Sequence, residues 1–115
     1  MTATSVLGKS AGQQVTTSAT AIVSNGAGSN QIFKINSLIV ANVNGTSAAD
    51  ITVDLFKNQT TAFDIAFTVS VPADATLVVI SKDAFVYLEE NDSLRLTASA
   101  NSFLEAVCSY EIVTS

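Results

Sequence analysis

Several residue types that enzymes rely on are missing from this sequence of 115 residues, which has no histidine, no tryptophan and one cysteine. Without histidine, neither a Ser-His-Asp nor a Cys-His catalytic arrangement can form, and imidazole metal ligands are absent. The lone Cys108 cannot make an intramolecular disulfide or a zinc site. No glycine-rich phosphate loop of either common spacing is present. We therefore predict a protein that is not an enzyme and holds no cofactor.

Charge is scarce too, at 13% of residues, with five basic and ten acidic side chains and a net charge of −5. The basic residues are dispersed, so no cluster exists to neutralise phosphates and we expect no nucleic-acid partner. Apolar runs are as short as Leu38–Ala41, which predicts no membrane span. The N-terminus lacks a basic segment followed by an apolar one, so we expect no secretory signal and folding in a cytoplasm.

Uncharged Ser, Thr, Asn and Ala take the place of the missing charges. Hydroxyls and amides cost less to bury than ions when they find partners, so such a surface is easily covered by a neighbouring protein. A second interpretation is a β-rich surface that simply favours Thr and Ser. Composition alone leaves both interpretations open.

Apolar and polar residues alternate with a period of two in four segments, the pattern of a half-buried strand. These segments are residues 50–57, 61–69, 93–99 and 104–112. In the second, Asp64, Ala66 and Thr68 are expected to face away. The positions predicted to share the apolar faces are Ile51, Val53 and Leu55; Phe63, Ile65, Phe67 and Val69; Leu94, Leu96 and Ala98; and Leu104, Ala106, Cys108, Tyr110 and Ile112.

Less regular strands are predicted at 14–24 and 32–43, and short ones at 77–80 and 85–88. In residues 32–43 the pattern shifts phase near Asn36, which predicts a bulge or a bend where the strand changes sheets. About eight strands at roughly ten-residue spacing predict an all-β, antiparallel β-sandwich or barrel, with residues 14–115 as a single domain.

The first thirteen residues are small and polar, and we interpret residues 1–13 as an extended N-terminal arm. It is either a frayed terminus or an arm that docks on a neighbouring subunit, with Val6 and Leu7 as anchors. Phe56 and Phe103 fall on outward faces of their strands, which hints at a protein contact. The alternative is that both sheet faces are partly covered within the domain.

Three acids near one another, Glu89, Glu90 and Asp92, supply the oxygen ligands that a hard cation prefers. They do not match the spaced Asp/Asn loop of calcium sites, and turn residues ahead of a strand explain them better. Carbohydrate binding is disfavoured because stacking aromatics are few, with no Trp and two Tyr.

The segments QIFKINSLIVANVNGTSAADITVDLFKN, VPADATLVVISKDAFVYLEENDSLRLTASA and LEAVCSYEIV share a family-like order of strands and turns. A strand ends in Asn and a polar turn, an alternating strand and a Pro-led segment follow, and a LEENDSLRL turn precedes a final strand. From Gln31 onward the chain resembles small virion proteins of tailed bacteriophages, especially cyanophages. This is a pattern of strand types rather than a diagnostic motif.

The resemblance implies a β-sandwich or jelly-roll-like fold that often forms trimers, and it transfers no catalytic residue. It implies a capsid cement (decoration) protein that binds the major capsid protein across subunits, as a homotrimer, in a virion assembled in the host cytoplasm. A tail, neck or fibre-base accessory protein of the virion is the alternative. A carbohydrate-binding module is a third candidate from another class.

Overall fold

Nine β-strands and a short 3-10 turn, Lys82–Ala84, make up residues 5–114, the part of the chain that the computed structural model describes. Every strand pairing is antiparallel, which confirms the prediction of an all-β antiparallel sandwich. The strands are β1 Ser5–Gln14, β2 Thr20–Ser24, β3 Gln31–Asn42, β4 Ala49–Lys57, β5 Thr61–Val71, β6 Thr76–Ile80, β7 Val86–Leu88, β8 Ser93–Ala98 and β9 Leu104–Thr114.

Two sheets face each other across the core. Sheet A has the order β1-β9-β3, with β6 and β7 both paired to the far side of β3, and sheet B has the order β2-β8-β4-β5. The pairing joins the first strand to the last and the second to the next to last, then β3 to β6 and β7, and finally β4 to β5. This is one long antiparallel hairpin rolled into two sheets, which is the jelly-roll arrangement.

The core lies between the sheets and is supplied mainly by the central strands. The predicted inward positions of β8 and the first half of β9 are confirmed, since they are fully or almost fully buried. Each of these strands has a paired neighbour on both sides, so nothing disturbs the alternation of side chains. The confirmed positions are Leu94, Leu96, Ala98, Leu104, Ala106 and Cys108.

The phase shift predicted in β3 is a bulge at Asn36. Ile35 is opposite Tyr110 and Ser37 is opposite Ser109, so Asn36 is the extra residue in the ladder. Its Nδ2 donates to Glu111 Oε1 at 2.7 Å. Because of the bulge, Ile35 and Leu38 both face the core although they are three residues apart. The predicted change of sheet is wrong, because β3 stays in sheet A along its length.

The described part of the predicted arm is an edge strand. Residues 5–14 form β1, which pairs with β9 at all ten positions, so the boundary predicted after residue 13 falls inside a strand. Immediately after it, Val15 is buried in the core and its N–H donates to Leu104 O at 2.9 Å. Residues 1–4 of the predicted arm lie outside the described residues.

Two buried asparagines fasten loops to the sandwich. Asn25 Nδ2 donates to the carbonyls of Gln31 and Leu88 at 2.8 and 3.0 Å. Asn42 Nδ2 donates in the same way to the carbonyls of Ser47 and Val71, at 3.0 and 2.9 Å. Each amide satisfies backbone carbonyls from two segments at once, which holds the connections between the sheets in place.

Candidate interaction surface

A row of large apolar side chains lies exposed on β5, one of the two edge strands of sheet B. The exposed fractions are 57% for Phe63, 38% for Ile65, 68% for Phe67 and 37% for Val69, and we call these four residues the β5 strip. The sequence predicts these positions on a shared, half-buried face, and that prediction is wrong. Ala66, expected to face away, is instead partly buried against the core.

Two register shifts between β5 and β4 explain the error. Val69 is opposite Ile51 and Ala66 is opposite Val53, so β5 has two residues where β4 has one. A second shift lies between Ala66 and Asp64. Thr68 has a φ of 47°, and its N–H donates to Thr52 Oγ1 at 3.0 Å. Bulges reset which side chains face the core, so an unbroken period of two in the sequence does not translate into one buried face.

The β5 strip is large enough to matter for binding. A fully exposed Phe side chain presents about 200 Å², so the two rings leave about 250 Å² in contact with water at the exposed fractions given above. With Ile65 and Val69 added, the exposed apolar area along β5 is comparable in size to the largest apolar patches on monomeric proteins, about 300–600 Å², which are often functional. Asp64 is the only charged residue within β5.

Sheet A carries a smaller apolar row on its outer face. Val107, Ile39 and Val78 are exposed and stand directly opposite one another on β9, β3 and β6. Elsewhere on this sheet, Ile32, Val113, Tyr87 and Glu89 line a shallow groove of about 390 Å³. These positions show that the low charge of the sequence leaves apolar surface exposed on both sheets.

Val6 and Leu7, the predicted anchors of the arm, lie on β1 opposite Val113 and Ile112. Both side chains are more than half exposed. They are therefore accessible to a partner, and their role as assembly contacts stays a prediction. Their place on the edge of sheet A separates them from the β5 strip on the edge of sheet B.

Phe56 and Phe103, the other two predicted contacts, are partly covered by the domain itself. The Arg95 guanidinium lies 3.8 Å from the centroid of the Phe56 ring, a cation–π contact. Arg95 is held there by Asp54, with Nε donating to Oδ1 at 2.9 Å and Nη2 to Oδ2 at 3.3 Å. Phe103 packs against the core. Their use as assembly contacts is untested, but neither offers the open surface of the β5 strip.

The acidic turn is held together by Asp92, whose side chain is 2% exposed. Its Oδ2 accepts from Lys57 Nζ at 2.8 Å and from the Glu89 N–H at 3.0 Å, and its Oδ1 accepts from the Asn58 N–H at 2.9 Å. Burial alone would raise the pKa of Asp92, but these hydrogen bonds and the Lys57 charge together lower it. The carboxylate thus links the β4–β5 turn to the turn before β8, with its lone pairs directed at protein donors.

Residues 5–114 show little sign of a metal site, a reactive thiol or a membrane-spanning helix. No group of three or more Asp, Glu or Cys side chains there is arranged to hold a metal ion, Glu89, Glu90 and Asp92 included. Burial raises the pKa of the Cys108 thiol to about 12, so this sulfur is a packed apolar group rather than a nucleophile. Within the same residues, no helix has the length and apolar character needed to cross a membrane.

No protein-family model matches the chain, and no curated protein matches its sequence. Its fold is similar to that of a Bacillus endospore appendage protein, from a novel family of disulfide-linked pili. The TM-score is 0.56 at 14% identity, covering 95% of this chain and 88% of that one. This likeness shows a shared fold and nothing further.

A pentameric capsid protein isolated from metagenomic phage sequences, known from two structures, has a TM-score of 0.42 at 14% identity. The match covers 91% of this chain but only 64% and 60% of the capsid protein in the two structures. A likeness this low supports no argument about this chain.

Proposed function

We propose that this chain is a non-enzymatic structural protein of a phage virion, most specifically a capsid cement protein that binds across neighbouring capsid subunits. The observation that carries the proposal is the β5 strip, a large apolar surface at the edge of an otherwise well-formed sandwich. The low charge of the sequence and its resemblance to small virion proteins support the same conclusion. The jelly-roll fold is compatible with it, since capsid domains use this architecture.

The mechanism is thermodynamic. A protein that binds the assembled shell and not the free subunits stabilises the shell by mass action. Burying the roughly 250 Å² of the two β5 phenylalanine rings contributes about 6 kcal/mol before the costs of association and ordering are subtracted. The net gain that is left after those costs is modest per site, and a capsid multiplies it by presenting the same site many times.

The major capsid protein as partner and the homotrimer as oligomer belong to this proposal. Three copies that turn their β5 strips toward a shared capsid surface would each bury apolar area without burying many charges. A tail, neck or fibre-base position in the virion is the competing location. Copy number separates the two, because a cement protein follows the repeated capsid lattice whereas a neck or tail protein occupies a single place on the particle.

The test is binding to purified, empty, mature heads at native salt, measured by co-sedimentation. We expect the wild-type chain to bind and Phe67→Ser to bind at least about tenfold more weakly, since burying a large side chain contributes roughly 1.5–3 kcal/mol. Phe85→Ser is the matched control, because Phe85 is also exposed but follows the 3-10 turn of sheet A. Wild-type failure to bind, or equal loss in both variants, would overturn the proposal.

A further inference from the structure

The free edges of the two sheets differ in how open they are to an added strand. β2 has five residues and a register irregularity between Ala21 and Val23. The edge formed by β6 and β7 is broken by the 3-10 turn. β5 carries two bulges and the positive φ of Thr68. Short strands, interruptions and bulges are the devices that protect edges from pairing with other chains.

β1 has none of these three devices, and of the charged side chains that can also protect an edge it has one, Lys9. Its ten residues pair with β9 in unbroken register, with no bulge and no proline. At about 3.3 Å per residue the open edge is about 33 Å long. Apart from Val6 and Leu7, its residues are small or polar, and a Cβ added at Gly8 would meet nothing within 4 Å. Nothing bulky on β1 obstructs the approach of a second backbone.

We propose that β1 pairs with β1 of a second copy of this chain, in antiparallel orientation about a two-fold axis, so that two copies of sheet A become one continuous sheet. A second copy is favoured on charge. The chain has a net charge of −5, so most contacts between copies are repulsive, but β1 contains no acid. The other three edges are protected on the second copy as well, so its β1 is the edge that is available to pair with β1 of the first.

The register follows from the faces of β1. Leu7, Lys9 and Ala11 share the inner face of sheet A, as their β9 partners show, and the even-numbered residues share the outer face. Residues directly opposite in a continuous sheet must share a face, which leaves two long symmetric registers. One places Lys9 opposite Lys9 of the second copy, and like charges directly opposite are destabilising. The other places Ser10 opposite Ser10, and we infer this register.

A polar atom on β1 agrees with this choice. Gln13 Nε2 donates to Ala21 O at 3.2 Å, but Gln13 Oε1 is buried and accepts no hydrogen bond. In the inferred register Gln13 is opposite Leu7 of the second copy and diagonal to its Lys9, within the reach of a long side chain. Reorienting this amide toward the open edge would let the oxygen accept from that ammonium.

Disulfide trapping tests both the contact and its register. Ser10→Cys puts two thiols directly opposite, at a Cα separation of about 4.5–5.5 Å, within the range that a disulfide spans. Ala11→Cys keeps Lys9 and puts the thiols on a diagonal, about 7–8 Å apart, which is too far. Ser70→Cys, exposed on β5, is the control for collisions between copies. The native Cys108 is buried and does not compete.

We expect mild oxidation to convert most of Ser10→Cys to a covalent dimer and little of the other two. Trapping of Ala11→Cys in preference, or of Ser70→Cys as fully as Ser10→Cys, would overturn the inference. The native mass gives an independent test. Ser10→Lys should weaken the contact about fivefold and halve the mass at a suitable dilution, whereas Ser70→Lys should not.

This contact uses a different edge from the β5 strip, so it is compatible with a trimer, two of which would close into a hexamer. A wild-type mass of one or three copies at high concentration would overturn it. It also stands apart from the proposed function. If Ser10→Cys is trapped but the wild-type chain does not bind capsids, the proposed virion role is wrong and the β1 contact is supported. If the chain binds capsids but Ser10→Cys is not trapped, only the β1 contact is wrong.

Discussion

Replacing Asp92 should be among the most destabilising single changes outside the apolar core. In Asp92→Ala, the N–H groups of Asn58 and Glu89 lose their acceptor, and Lys57 loses its partner. A donor left without its acceptor costs about 1–3 kcal/mol, toward the lower end here because Asn58 and Glu89 are exposed residues, and breaking a buried ion pair costs about 3–5 kcal/mol. Lys57 is 36% exposed and can return to water, so its loss is discounted. We expect the free energy of unfolding to fall by about 2–3 kcal/mol at pH 7.

The pH dependence gives this prediction a signature. The folded-state pKa of Asp92 is lowered, so its contribution is present above its unfolded-state pKa, near 3.8, and is lost as pH falls through the lower folded-state value. Asp92→Asn cannot titrate, so the stability gap between it and the wild type should be widest near neutral pH and shrink below about pH 4. The pKa of Lys57 is raised in the folded state, so its contribution to stability is present below its unfolded-state pKa of 10.5 and is lost as the pH rises above that value.

Urea unfolding at pH 7, 5 and 3 measures the effect. Glu90→Gln is the matched control, because Glu90 lies in the same turn but is exposed. It should change the free energy of unfolding by less than about 0.5 kcal/mol. An Asp92→Asn variant as stable as the wild type at pH 7, or a gap that does not change between pH 7 and pH 3, would refute the reasoning.

Three further predictions concern the core, the edge strand and the thiol. Leu96→Ala should cost about 2–5 kcal/mol in urea unfolding because Leu96 is fully buried, and a cost equal to that of exposed Val78→Ala would show that the core is wrongly placed. Gly8→Thr should raise stability by about 0.5–1 kcal/mol, since the added side chain enters open space on a strand; a loss would mean that this part of β1 is not extended. Cys108 should resist iodoacetamide at pH 8 until the chain unfolds, and rapid labelling of the native protein would contradict its burial.

The central strands were predictable because their environment is uniform. β8 and β9 each lie between two paired strands, so alternate side chains in the sequence face the core and the outer face of the sheet. The bulge in β3 was also predictable, because the alternation shifts phase at Asn36 and Ser37, between Ile35 and Leu38. In each case the burial of large aliphatic residues determines the register, and the sequence records which residues those are.

The edges and the turns were less predictable. β1 lacks the alternating large residues that mark a strand, because at an edge most of its side chains face water. β5 has a clear alternation, but its bulges depend on the pairing with β4, which sequence alone does not show. The Asp92 carboxylate receives donors from two separate turns, and the cover over Phe56 comes from Arg95 on a neighbouring strand. These features arise from contacts between distant parts of the chain, which local patterns do not encode.

Thermal disassembly of mature heads, with and without saturating wild-type protein, tests the central claim most directly. If the chain binds the assembled shell and not its free subunits, the disassembly temperature should rise, and it should rise further as the free protein concentration increases. Phe67→Ser should shift that dependence to higher protein concentrations. A disassembly temperature that is the same with and without the protein, over a range of concentrations at native salt, would contradict the account.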